Sequence, residues 1–119
     1  MQTRHNSFKH AVRGLIYSLK TQVNLRIHFV MALVVTLLGL FFKIQVWEWL
    51  IIIFTISLVI ITEMINTGIE SIVDLITKKH SVDAKIAKDV GAGMVLVSSI
   101  ASVIIGVIIF APYLLKLTS

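Results

Sequence analysis

The sequence predicts an all-α integral membrane protein in which an N-terminal amphipathic helix lies on the membrane surface and three transmembrane helices follow. Three observations carry that expectation. Hydrophobic residues occupy 57% of the 119 positions and the mean hydropathy is +0.96, beyond the range of an ordinary soluble domain. Long uncharged stretches recur at 29–42, 49–62 and 90–115. The basic residues collect at the ends of these stretches and are not interleaved with aromatic residues on one face. The net charge of +5 therefore points to lipid headgroups, and no nucleic-acid partner is expected. The length allows one domain, a single membrane-embedded unit over 1–119.

The first element is the surface helix, placed at 1–24. Phe8, Val12, Leu15, Ile16 and Leu19 form an apolar stripe opposed by Lys9, Arg13 and Lys20, the pattern of a helix lying in the interface plane. A soluble-domain helix would show a similar stripe, but the rest of the chain offers it no soluble core. The segment has no continuous apolar stretch ahead of a small-residue cleavage site, so it is expected to stay on the mature protein.

The transmembrane helices are placed at 27–47, 48–76 and 86–115. The uncharged part of the first is short and borrows Arg26 and His28, which can snorkel, together with Trp47 and Trp49 as interfacial anchors. The second continues past Glu63 because Ile65, Ile69, Ile72, Val73 and Ile76 recur at helical spacing. The third is long enough to cross a hydrocarbon core of about 30 Å. Ser81 is a candidate N-cap for it and Pro112 a candidate stop near its far end. Ala87 with Gly91, and Ser98, Ser102 and Gly106, repeat small residues four apart, a spacing that lets helices approach closely.

Arg4, Lys9, Arg13, Lys20 and Arg26 precede the first span, and Lys78, Lys79, Lys85 and Lys88 lie between the second and third. The positive-inside rule then makes both segments cytoplasmic, puts 43–48 and the C-terminus outside, and assigns the chain to the cytoplasmic membrane. With no cysteine, the sequence says nothing about redox compartment. One small protomer has little surface with which to enclose two substrates, which favours an oligomer with sites between subunits.

Glu63, Asn66, Glu70 and Asp74 follow at i, i+3, i+7 and i+11, within a stripe of roughly 80° on one helix face. Measured from Trp47, Glu63 lies about 24 Å along the helix and Glu70 about 34 Å, so the stripe straddles the cytoplasmic edge of the hydrocarbon core. Ionised carboxylates there repel each other and demand a cation between them. Magnesium suits, because it takes oxygen ligands and commonly uses one or two carboxylates with phosphates and water. Lys88 and Asp89 start the third helix at the same depth, and its free N-terminal amides favour a phosphate. The structural alternative makes Glu63 and Asn66 interhelical glue, with Lys88 neutralising a carboxylate. Neither GxxxxGK[ST] nor GxGxxG occurs, so a nucleotide needs a different kind of site.

The run Glu63-Met64-Ile65-Asn66-Thr67-Gly68-Ile69-Glu70-Ser71-Ile72-Val73-Asp74, followed by Ala87-Lys88-Asp89, resembles the signature of the small prokaryotic diacylglycerol kinases. Asn24-Leu25-Arg26-Ile27-His28, Asp74-Leu75-Ile76-Thr77 and Lys79-His80 are more similar to the Gram-positive branch, whose members act as undecaprenol kinases. The resemblance implies a homotrimer that transfers the γ-phosphate of magnesium ATP to a hydroxyl of a lipid in the inner leaflet. It implies Glu63 as general base, Asn66 as a positioning group, Glu70 as a magnesium ligand, and Lys88 with Asp89 as nucleotide contacts. Undecaprenol is the expected acceptor and diacylglycerol the alternative.

Gln22 departs from the pattern, since the family usually carries a second metal-binding glutamate there; glutamine offers a carbonyl oxygen to the metal without a charge. Gly68 replaces the more usual alanine at a helix cost of at most about 1 kcal/mol. Two other classes compete with the enzyme, a small transporter or proton-conducting oligomer and an inactive assembly protein. A conducting path wants ionisable residues through the full membrane depth, which the outer halves of these helices lack.

Overall fold

A computed structural model describes the backbone of residues 4–119 and the side chains from Asn6 onward. Four helices follow in order: α1 Arg4–Thr21, α2 Val23–Phe42, α3 Val46–Ile76 and α4 Val82–Thr118. The first three residues of the expected surface helix lie outside the described residues. The last three helices are long and apolar enough to cross a membrane, and the chain is a multi-pass membrane protein.

The helix boundaries correct the expected ones, and each has a local cause. The first two helices meet at Gln22, which is extended at φ −112° and ψ 109°. Arg26 closes the joint, because its Nη1 donates to the main-chain carbonyls of Leu19 at 3.0 Å and Lys20 at 2.9 Å, which α1 itself leaves unpaired. Arg26 is thus tied to the preceding helix, and α2 begins at Val23 in place of residue 27.

The first span also ends earlier than 27–47 anticipates. Lys43 adopts the left-handed conformation at φ 55°, and the amide of Ile44 reaches back to the Gly39 carbonyl at 3.2 Å. This is a Schellman-type closure, and Ile44 tucks its buried side chain against the last turn. The third helix then starts at Val46 under a capping box, in which the Gln45 amide donates to Glu48 Oε1 at 2.9 Å and the Gln45 side chain takes the reciprocal bond. Trp47, assigned by the sequence to the first span, therefore belongs to the second.

The last helix begins at Val82, not 86, because Ser81 Oγ accepts the Ala84 amide at 3.1 Å. It also runs through Pro112 to Thr118, where the sequence anticipated a stop at 115. Pro112 is exposed, so its ring lies outside the helix packing.

The third helix is the spine, packed along α4 and less extensively against α2. The molecule measures 58 × 39 × 21 Å, a flat layer from which Leu40, Phe41, Phe54 and Ile108 project outward. Its apolar core gathers at one end, where Ile44, Ile52, Ile109 and Phe110 are buried beneath Phe42, Trp49 and Tyr113. Gly39 belongs to this end, since a Cβ there would lie 2.6 Å from the Trp49 ring. The opposite end of the spine is polar.

Candidate active site

Along that polar end the side chains of α3 grade from buried to exposed. Glu63 is 1% exposed, Asn66 and Thr67 are buried, Glu70 is half-buried and Asp74 is exposed. The stripe inferred from spacing is therefore real, and it descends from the protein interior to the surface. It is held in place by hydroxyls: Thr67 Oγ1 donates to the Glu63 main-chain carbonyl at 3.0 Å, and Thr62 Oγ1 pairs with Ser98 Oγ of α4 at 2.8 Å. Gly91 lets α4 come this close, because a Cβ on it would collide with Asn66 Oδ1.

Two buried oxygens in the stripe lack a hydrogen-bond partner, Glu63 Oε2 and Asn66 Oδ1. Buried polar atoms are normally satisfied, so two orphaned oxygens three residues apart on α3 set this stretch apart from the rest of the helix. Asn66 spends its amide nitrogen on Glu70 Oε1 at 3.4 Å, which aligns those two side chains and leaves the carbonyl oxygen unused. His28 of α2 approaches Glu63 from across the helix pair, with Nε2 at 3.6 Å from Oε2. Sequence reasoning missed this neighbour. His28 and Glu63 lie far apart along the chain, and periodicity cannot show which faces of two helices meet.

Lys88 meets the stripe at its lower end, donating from Nζ to Asp74 Oδ1 at 2.7 Å. Asp89 faces another way and takes Lys85 Nζ at 2.6 Å. Both pairs border an open cleft of about 880 Å³ whose rim also carries Lys78, Lys79 and the capped start of α4. Away from that cleft an apolar groove of about 500 Å³ runs between α2 and α4, lined by Ile27, His28, Met31, Val59 and Ser99. Asp74, at the lower end of the stripe, lines the basic cleft, and His28, which approaches Glu63 at the upper end, lines the apolar groove.

Among the described residues, no three His, Cys, Asp or Glu side chains converge as a self-sufficient metal cage. Magnesium does not require one. The half-buried Glu70 carboxylate is an oxygen donor of the kind that holds magnesium together with phosphates and water, while Asn66 turns its nitrogen to Glu70 and its oxygen toward Gly91. Gln22 is partly buried at the α1–α2 joint, its side chain makes no cap bond, and no hydrogen bond joins it to Glu70 among the described residues.

An apolar groove, a buried carboxylate, a basic cleft and three membrane-spanning helices together have the make-up of a membrane-embedded lipid phosphotransferase. A family model, prokaryotic diacylglycerol kinase, matches residues 9–110, and the chain belongs to that family. It is similar to the undecaprenol kinase of Bacillus subtilis (strain 168), with 43% identity over 108 residues covering 91% of this chain and 88% of the relative. It is also similar to the diacylglycerol kinase of Synechocystis sp. (strain ATCC 27184 / PCC 6803 / Kazusa), with 38% identity over 112 residues covering 93% of this chain and 64% of that protein. Membership makes it a lipid kinase, with ATP as phosphoryl donor.

Proposed function

We propose that the chain phosphorylates the terminal hydroxyl of undecaprenol in the inner leaflet, with diacylglycerol as the second acceptor. The observation that carries the proposal is the buried Glu63 carboxylate with an orphaned oxygen, approached by His28 from the apolar groove and followed along α3 by Asp74 on the basic cleft. The preference for undecaprenol follows the higher identity and fuller coverage of the Bacillus relative.

In this reading the lipid chain lies in the apolar groove and its hydroxyl approaches Glu63. Glu63 takes the hydroxyl proton, the oxygen attacks the γ-phosphorus of ATP, and ADP leaves. Asn66 is the positioning group, keeping Glu70 aligned through its amide nitrogen. Glu70, with Gln22 as the second candidate, would hold magnesium, which screens the phosphate charge when bound. Lys88 exchanges Asp74 for phosphate, a step made easy because both partners of that pair are substantially exposed and such pairs are weak. Asp89, on the same cleft, contacts the nucleotide.

The outward-facing Phe8, Val12 and Ile16 of α1 support its placement in the membrane surface. The basic clusters support a cytoplasmic N-terminus, an outside C-terminus and the cytoplasmic membrane as location. The flat single layer supports a homotrimer as the working form. The test is incubation of purified protein with magnesium ATP and matched micelles of undecaprenol or diacylglycerol, followed by extraction of labelled lipid. Faster labelling of undecaprenol is expected; label in diacylglycerol alone reverses the order of acceptors, and label in neither ends the proposal.

A further inference from the structure

We infer that His28 is a positioning residue for Glu63, donating its Nε2–H to Oε2 so that the carboxylate is held and its other oxygen is left to take the proton. The inference rests on Glu63 being the base. Glu63 Oε2 has no hydrogen-bond partner in a nearly sealed environment, and an unpaired carboxylate oxygen there is costly.

Every other nearby donor is already committed. Thr67 gives its hydroxyl to a main-chain carbonyl, and the Thr62 hydroxyl is shared with Ser98 and the Val59 carbonyl. The Asn66 amide turns to Glu70, Lys88 to Asp74, and Arg26 to the end of α1. Among the described residues the donor that faces Glu63 from another helix is His28, with Nε2 at 3.6 Å. That separation is a few tenths of an ångström too long for a hydrogen bond, as catalytic bonds often are before substrate binds.

The ring is delivered by packing. Leu25, one turn earlier on the same face of α2, is 0% exposed, so this face is fixed against its neighbours. The imidazole itself is 21% exposed along the apolar groove, which leaves it room to close on Glu63. As a lipid-facing residue alone, a leucine would serve better there, since insertion favours it.

The test compares His28→Leu, which removes the donor, with His28→Gln, whose amide nitrogen stands where Nε2 was. In the full chain reconstituted with its lipid substrate, His28→Leu should lose about 10- to 100-fold in kcat while KM for magnesium ATP stays within about twofold. His28→Gln should keep at least about a third of the wild-type kcat, because the donor survives. His28→Met, similar in size, repeats the comparison should the leucine variant not assemble. Adding His28→Leu to Glu63→Gln should cost nothing more, since the histidine acts through the carboxylate. Undiminished kcat in His28→Leu, an equal fall in the glutamine variant, a rise in nucleotide KM instead of a fall in kcat, or an additive loss in the double variant each overturns the inference. Full activity in Glu63→Gln brings down the base reading itself, whatever the His28 variants show.

Discussion

Two glutamates are buried in α3, Glu48 at 5% exposure in its first turn and Glu63 at 1% about four turns on, and the protein treats them in opposite ways. Glu48 is saturated. Its Oε1 accepts the Gln45 amide and the Tyr113 hydroxyl, so one carboxylate both caps α3 and ties it to the far end of α4. Around it stand Ile44, Ile52, Ile109 and Phe110, with the Phe42 ring 5.7 Å from that of Tyr113. Glu63 has an orphaned oxygen, and its surroundings are Thr62, Asn66, Thr67, Gly91 and Ser98, small or polar groups that fill the space without neutralising it. The same residue type at similar burial is tied into the fold at one end of α3 and keeps an unpaired oxygen at the other, which is the difference the proposed chemistry would use.

Glu63→Gln probes that contrast most severely. The variant is nearly isosteric, so it should insert and assemble normally, yet lose at least about 10²-fold in kcat because only the proton acceptor is gone. Rates from labelled-lipid formation, set beside thermal unfolding in the same detergent, give both numbers. Retention of more than about a tenth of the wild-type rate removes Glu63 as the base.

Glu70→Gln comes next. Its carboxylate is half-buried and aligned by Asn66, so the change should raise the magnesium concentration for half-maximal activity roughly tenfold and weaken nucleotide binding in parallel. An unchanged magnesium titration takes Glu70 out of the metal shell.

How much of this was legible before the fold depended on whether the signal was local. Spacing along one helix announced the Glu63-Asn66-Glu70-Asp74 stripe, and Ser81 announced the start of α4, because each rests on neighbours a few residues apart. The end of α2 was hidden, since Lys43 takes a left-handed conformation that usually advertises itself as glycine. Glu48 read as an outside-loop charge, because its partner Tyr113 arrives from the last turns of α4. His28 was hidden for the same reason: its meeting with Glu63 is decided by the packing of α2 on α3.

Tyr113→Phe tests the saturated end. It removes the hydroxyl donor to Glu48 and leaves a buried carboxylate with one bond fewer, a loss of about 1–3 kcal/mol in stability. Activity per folded molecule should stay within about twofold, because Glu48 lies about 22 Å along the helix from Glu63. A fall in kcat at unchanged thermal stability would break the division between a structural and a chemical end.

Gln22→Glu is the mildest change and asks whether the α1–α2 joint belongs to the chemical end. Two effects are expected, and they separate. Gln22 is the N-cap of α2, where a negative charge faces the positive end of the helix dipole, so the variant should gain about 0.3–1 kcal/mol with or without magnesium. If the side chain also reaches the metal held at Glu70, an added charge beside a divalent cation strengthens binding, and the magnesium half-saturation should fall about two- to threefold. The Gln22 carboxamide is free to do this, as it makes no cap bond of its own. Unfolding curves with and without magnesium read the first effect, and a titration of activity reads the second. Stabilisation with an unshifted or raised half-saturation would confine Gln22 to capping, and leave Glu70 and the substrate phosphates to hold the metal by themselves.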